Sequence, residues 1–209
     1  MIRIYKKTII LTSFIILIPI FAGLLLWNRL PEQMPVHFSF DGTVDGWGSK
    51  PFVVVGLPFV MLALHWFCIA CTSIDPKQKN IGRKMIYVVL WIVPVISLFA
   101  DLICYANALG YGVDVSSAVF FVIGIMFIIV GNYMPKSGQS YTVGYKIPWT
   151  LNSEENWNRT HRLAGWLWIL GGFLFIVGAV VKWHWIIWAV LPIAVIPVIY
   201  SAILYKKGI

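Results

Sequence analysis

The chain has 209 residues, 60% of them apolar and only 11% charged, with a mean hydropathy of +0.84. Soluble globules carry charge on about a quarter of their residues, so this composition excludes a water-soluble domain and makes lipid the main surrounding of the chain. A net charge of +8 would raise nucleic acid as a partner for a soluble protein, but here the sign follows from membrane topology, and no direct nucleic-acid contact is expected.

Long apolar runs without in-and-out alternation fit helices rather than a barrel, because a lipid-embedded backbone must satisfy its peptide groups internally. Windows of about twenty apolar residues predict six spans in order: 8–27, 52–72, 85–109, 116–134, 164–181 and 183–205. Arg3, Lys6 and Lys7 precede the first, whose apolar run is too long for a signal-peptide core, so an uncleaved span is expected. The organisation reads as a first helix pair over 1–72 with a loop at 28–51, a second pair over 73–134, a motif loop at 135–163 and a third pair over 164–209. The fold class is all-α integral membrane.

Lys and Arg give the orientation. The N-terminus, the second and fourth loops and the C-terminus together hold thirteen, against three in the first, third and fifth loops. By the positive-inside bias both termini lie in the cytoplasm, the 28–51 loop outside and the 135–163 loop inside. A multi-pass protein of a bacterial cell membrane is expected.

The outer loop opens with Pro31 and Pro35, which favour extended backbone, and then shows Asp41-Gly42 and Asp45-Gly46 as turn signals. His37, Asp41 and Asp45 could be imagined as metal ligands, but turn chemistry accounts for both aspartates and a single histidine is weak support. No metal and no cofactor is expected. Pro35, His37, Asp41, Asp45 and Trp47 are the candidates for extracytoplasmic sensing.

Within the spans, His65, Asp101, Asn107 and Asn132 need partners, since polar groups in a bilayer face the bundle interior. An ion or proton path would use His65 and Asp101, but the two differ in depth by nearly 10 Å, about a third of the hydrocarbon core. Polar packing is the plainer reading. Pro19, Pro58, Pro94, Pro192 and Pro197 each remove a backbone donor and are expected to kink or locally unwind their helices. Trp27, Trp166, Trp168, Trp183 and Trp185 sit near span ends as headgroup anchors. Cys68 and Cys71 form a C-x-x-C inside an apolar run, without the βαβ surroundings of a redox motif. On the fifth span Gly165, Gly171, Gly172, Gly178 and Ala179 share one face, suited to close packing within the bundle or in a homodimer.

In the inner loop Pro148 biases Ile147 away from helix. Asn152 or Ser153 then caps a helix with Glu154 and Glu155 in its first turn, running into the fifth span. Trp157, Thr160, His161 and Ala164 follow i, i+3, i+4, i+7 spacing, while Glu155, Arg159 and Arg162 line a charged face. One face can pack and the other can meet a partner; a solvated connector with an aromatic anchor would also fit these residues.

Three runs in this region carry a resemblance: Gly131-Asn132-Tyr133-Met134, Gly144-Tyr145-Lys146-Ile147-Pro148-Trp149-Thr150-Leu151, and Trp157 followed by Thr160-His161-Arg162-Leu163-Ala164-Gly165. They resemble the SdpI family of bacterial immunity membrane proteins. Leu30-Pro31, Val36-His37 and Asp45-Gly46-Trp47-Gly48-Ser49-Lys50 look like the uncharacterised N-terminal domain found in many members.

The resemblance implies protection against a secreted toxic peptide and sequestration of a cytoplasmic transcriptional repressor at the membrane. Asn132, Gly144, Lys146, Pro148, Trp149, Thr150, Trp157, Thr160, His161 and Arg162 would then form the partner-binding motif. This chain has Lys146-Ile147 where the motif of the family's best-known member has Arg-Thr, and lysine lacks the planar fork that grips a carboxylate or phosphate at two points. No convincing catalytic constellation is present, so a non-enzyme is expected. The rival from another class is a transporter or intramembrane enzyme, using Asp101, His65 and the Lys146, His161, Arg162 cluster on an anionic lipid or peptide.

Overall fold

The computed structural model describes residues 1–209. Its helices are α1 (Lys6–Leu25), α2 (Leu57–Ile74), α3 (Arg83–Ala108), α4 (Val115–Tyr133), the short α5 (Pro148–Asn152), α6 (Glu154–Val180) and α7 (Val190–Lys206). Including short flanking turns on α2, α4 and α7, six of these are long and apolar enough to cross a membrane. Large apolar side chains such as Phe14 and Phe21 on α1, Phe173 and Val177 on α6 and Ile199 on α7 stay exposed. Such a surface belongs in lipid.

The loop between α1 and α2 adds a small sheet to this helical frame. It holds an antiparallel hairpin, β1 (Gln33–Phe38) and β2 (Val44–Ser49), pairing Met34 with Gly48, Pro35 with Trp47 and His37 with Gly46. Asp41-Gly42 is the turn: Gly42 adopts φ 85°, and the Thr43 N–H and hydroxyl donate to Asp41 Oδ1 at 3.0 and 2.7 Å. Asp45-Gly46 is not a turn but part of β2. Pairing skips Val36 on one strand and Asp45 on the other, and bulges of this kind re-aim side chains.

By contact density the chain forms two compact units. The first comprises Met1–Ala70 and Val89–Ala118, the second Cys71–Val88 and Val119–Ile209. Leu30, Met34, Val53, Val54, Cys104 and Tyr105 form a core in the first unit, where the Tyr105 hydroxyl donates to the Pro19 carbonyl at 3.0 Å. In the second, Phe120, Phe175, Ala179 and Ile186 pack together, with Phe120 edge-on to Phe175.

Three of the five prolines lie inside helices: Pro19, Pro94 and Pro197. Of the other two, Pro58 adjoins a locally unwound turn and Pro192 departs from the expectation. Pro58 cannot donate to Val54, and the turn before α2 is a π-helix over Phe52–Gly56, with the Leu57 N–H reaching Phe52. Pro192 falls in the first turn of α7, where no intrahelical donor is lost.

The glycine face of α6 is used within the chain. A Cβ on Gly131 of α4 would lie 2.7 Å from the Gly165 carbonyl oxygen, and one on Gly165 would lie 2.7 Å from that of Gly131. Gly124 and Gly172 repeat this reciprocal contact at 2.6 and 2.5 Å. Gly171 abuts Ile193 of α7, and Gly178 abuts Ile186.

Candidate functional site

The hairpin candidates separate by exposure. Pro35 is buried, whereas His37, Asp41, Asp45 and Trp47 face outward. The bulge at Asp45 brings its carboxylate to His37 Nδ1 at 2.5 Å, on side chains that remain 72% and 46% exposed. Gly46 leaves room for this pairing, since a Cβ there would meet His37 Cβ at 2.7 Å. At the tip, the Ser116 hydroxyl donates to the Phe40 carbonyl at 2.8 Å. Lys50, which the charge count treats as an ordinary outer lysine, is only 5% exposed. Its ammonium pairs with Glu32 at 2.7 Å, donates to the Trp27 carbonyl at 3.3 Å and lies 5.2 Å from the Trp27 ring centre. Trp27 is thus a cation platform as well as an interfacial residue.

His65 and Asp101 are both buried in the first unit, each with its own partner. His65 Nε2 lies 2.9 Å from the Thr12 hydroxyl, which in turn sits 2.9 and 3.1 Å from the Thr8 and Ile9 carbonyls; Nδ1 has no partner. Asp101 Oδ2 is 3.5 Å from the Ser97 hydroxyl and Oδ1 has no partner. The two residues share no hydrogen-bonding group, so they form no relay. Asn107 turns back onto its own helix, donating to Ile103 at 3.0 Å.

The motif loop, within the second unit, is a folded object. Asp75, 6% exposed, holds it from the end of α2: Oδ2 accepts from the Tyr141 and Thr142 N–H groups and the Thr142 hydroxyl at 2.9, 3.0 and 2.8 Å, while Oδ1 accepts from the Lys77 N–H at 2.8 Å. Gln139 ties the two ends of the loop together. Its amide donates to the Thr150 carbonyl at 2.9 Å and accepts from Lys77 Nζ at 2.9 Å. Neither Asp75 nor Gln139 stands out in the sequence. An Asp before Pro76 reads as the end of a helix, and nothing local signals a partner 66 residues away.

Ser153 caps α6, accepting from the Asn156 N–H at 3.2 Å, and α6 continues without a break into the fifth span. Its i, i+3, i+4 face turns inward. The Trp157 indole donates to the Ser137 carbonyl at 2.8 Å and stacks on His161 with ring centres 3.8 Å apart. His161 Nε2 accepts the Tyr145 N–H at 2.9 Å, and Nδ1 donates to the Trp157 carbonyl at 2.8 Å. Both ring nitrogens are used and the neutral tautomer is defined, so the ring offers no free nitrogen as a base. Gly144 passes so close to His161, at φ 104°, that no side chain fits. Thr150 caps the start of α5, accepting the Ile147 N–H at 3.2 Å and donating to the Tyr145 carbonyl at 2.6 Å.

Thr150, Trp157, Thr160 and His161 are therefore buried, and their polar groups brace the protein from within. Asn156, which sequence reasoning overlooked, joins them: it donates to the Ser201 carbonyl at 3.0 Å and accepts from the Ser201 hydroxyl at 2.5 Å and from Thr160 at 3.1 Å. Trp149 is half-buried and stacks on Tyr205. Trp168 departs from the anchor role, since its indole donates to the Tyr145 hydroxyl at 3.0 Å and its ring packs on Phe127. Burial pushes the Tyr145 phenol above its ordinary pKa, opposed by that indole; the phenol stays protonated and donates to the Ile193 carbonyl at 3.0 Å. Asn132, Lys146, Pro148 and Arg162 are the exposed motif residues. Arg159 pairs with Glu155 at 2.6 Å, as the spacing predicts.

Six apolar spans define a multi-pass membrane protein, and the motif loop within the second unit is internally braced. The SdpI/YfhL protein family matches residues 136–201, and the Domain of unknown function (DUF1648) matches residues 14–62. The chain is 26% identical over 211 residues to Immunity protein SdpI of Bacillus subtilis (strain 168), covering 97% of each chain. No solved structure matches it.

Proposed function

We propose that this protein is a membrane immunity protein that protects its producer against a secreted toxic peptide. The similarity to Immunity protein SdpI carries this reading, because it spans both the hairpin region and the motif loop rather than one domain. The hairpin, with His37, Asp45 and Trp47 exposed, faces outward and senses the peptide. The motif loop faces the cytoplasm and captures a repressor through Lys146, Pro148 and Arg162, with the edge of Trp149. The buried part of the motif supports this division of labour: a braced loop presents a few side chains in fixed positions at low ordering cost on binding. The reading is non-enzymatic.

Expression in a toxin-sensitive strain followed by peptide challenge tests protection. Survival should rise, and killing at the control rate with the protein present in the membrane would overturn the proposal. For capture, Lys146→Ala with Arg162→Ala should release a DNA-binding partner encoded nearby from the membrane fraction without loss of the protein itself. Undiminished recruitment would remove this face from the mechanism.

A further inference from the structure

Within the second unit, beside the motif loop, lies a pocket of about 310 Å³ walled by Met85, Val130, Met134, Trp168 and Ala194. Tyr145, His161 and Ser137 also line it. The first two are engaged, the Tyr145 hydroxyl with Ile193 and Trp168 and His161 with Tyr145 and Trp157. Ser137 differs: the residue is 4% exposed, and its hydroxyl has no hydrogen-bond partner.

A trapped water needs two to four polar partners, and apolar cavities without them stay dry or take apolar guests. A single unpartnered side-chain hydroxyl does not hold water through a pocket this size. Its complement is a largely apolar body with a single hydrogen-bonding atom.

The position narrows the choice. Ser137 lies one residue beyond the apolar span Val115–Lys136, at the level where hydrocarbon gives way to headgroups. Met134 and Val130 lie on the span side of it. Lys84 and Lys136, chain neighbours of Met85 and Ser137, stand 6.0 and 5.2 Å from the Tyr133 ring centre and are exposed. Two exposed lysines thus stand next in the chain to the lining residues Met85 and Ser137, of which Ser137 carries the unpartnered hydroxyl. A glycerophospholipid has the matching order of phosphate, ester carbonyl and acyl chain.

We infer that this pocket binds one anionic phospholipid. Part of an acyl chain lies against Met134, Trp168 and Ala194, an ester carbonyl accepts from the Ser137 hydroxyl, and the phosphate faces Lys84 and Lys136. This site goes beyond the immunity reading and does not depend on it.

Native mass spectrometry of the full chain, released from nanodiscs of dioleoylphosphatidylglycerol or dioleoylphosphatidylcholine, tests the site. One retained phosphatidylglycerol is expected, several-fold more abundant than retained phosphatidylcholine. Ala194→Phe, which fills the pocket, should abolish the adduct, and Ser137→Ala should lower it several-fold. Lys84→Gln with Lys136→Gln should erase the preference between the two lipids. Circular dichroism and the thermal midpoint of each variant establish that it is folded. Equal retention of both lipids by the unaltered protein, or an adduct untouched by Ser137→Ala and Ala194→Phe in folded protein, would overturn the inference. Should Ala194→Phe fail to fold, the smaller Ala194→Leu replaces it with the same expectation.

Discussion

Asp75 carries more of the motif loop than any residue inside the motif. A buried carboxylate accepting four hydrogen bonds from one neighbour and two distant residues is replaced poorly by an amide, whose NH2 would face a donor. Asp75→Asn should therefore destabilise the protein by about 2–4 kcal/mol, the scale of one or two lost hydrogen bonds to a charged group. The measurement is the thermal midpoint together with the rate of tryptic cleavage at Lys146. An unaltered rate would show that the loop is held by other means. The motif residues themselves were partly legible: helical spacing placed Trp157, Thr160 and His161 on one packing face. Which motif residues reach the surface was not legible, because a motif does not distinguish exposed side chains from those that hold the loop in shape. Burial separates them, with Thr150 and His161 inside and Lys146 and Arg162 outside.

Among the elements, α4 and α6 are fixed by glycine. Gly131→Ala or Gly172→Ala places a methyl group against a facing carbonyl oxygen, and overpacking of this kind costs about 1–3 kcal/mol. Leu170→Ala, on an exposed part of α6, is the control. A melting point lowered by the glycine variants and held by the control is the expected result in detergent. Equal melting of all three would mean that the helices separate without penalty. The glycine face of α6 is readable from spacing alone, but its partners on α4 are not, since Gly124 looks unremarkable in an apolar run and Gly131 stands out only as part of a motif run. The hairpin was half-legible. Prolines announced extended chain and Asp41-Gly42 the turn, but Asp45-Gly46 carries the same local signal and lies in a strand. Cross-strand pairing decides that case, and turn propensity is blind to it.

For the molecule as a whole, six passes follow from hydropathy, and loops expected on the same side do meet within each unit. Phe40 of the first loop bonds Ser116, just after the third, and Asn80 of the second loop exchanges backbone and side-chain bonds with residues 138–139 of the fourth. The sign of the orientation rests on the thirteen-to-three charge bias and is open to a direct test. With Cys68, Cys71 and Cys104 replaced, Thr43→Cys should react with an impermeant maleimide in intact cells, and Lys79→Cys only after permeabilisation. The reverse pattern would invert the sidedness of both loops. Asp75 has one more consequence, and it concerns time rather than stability. Synthesis runs from the amino terminus, so this carboxylate leaves the ribosome 66 residues ahead of Tyr141. The clasp is made before the strap it fastens. Tyr141 and Thr142 thus emerge to find their acceptor already synthesised, and the loop can be tied down before the last two spans enter the bilayer.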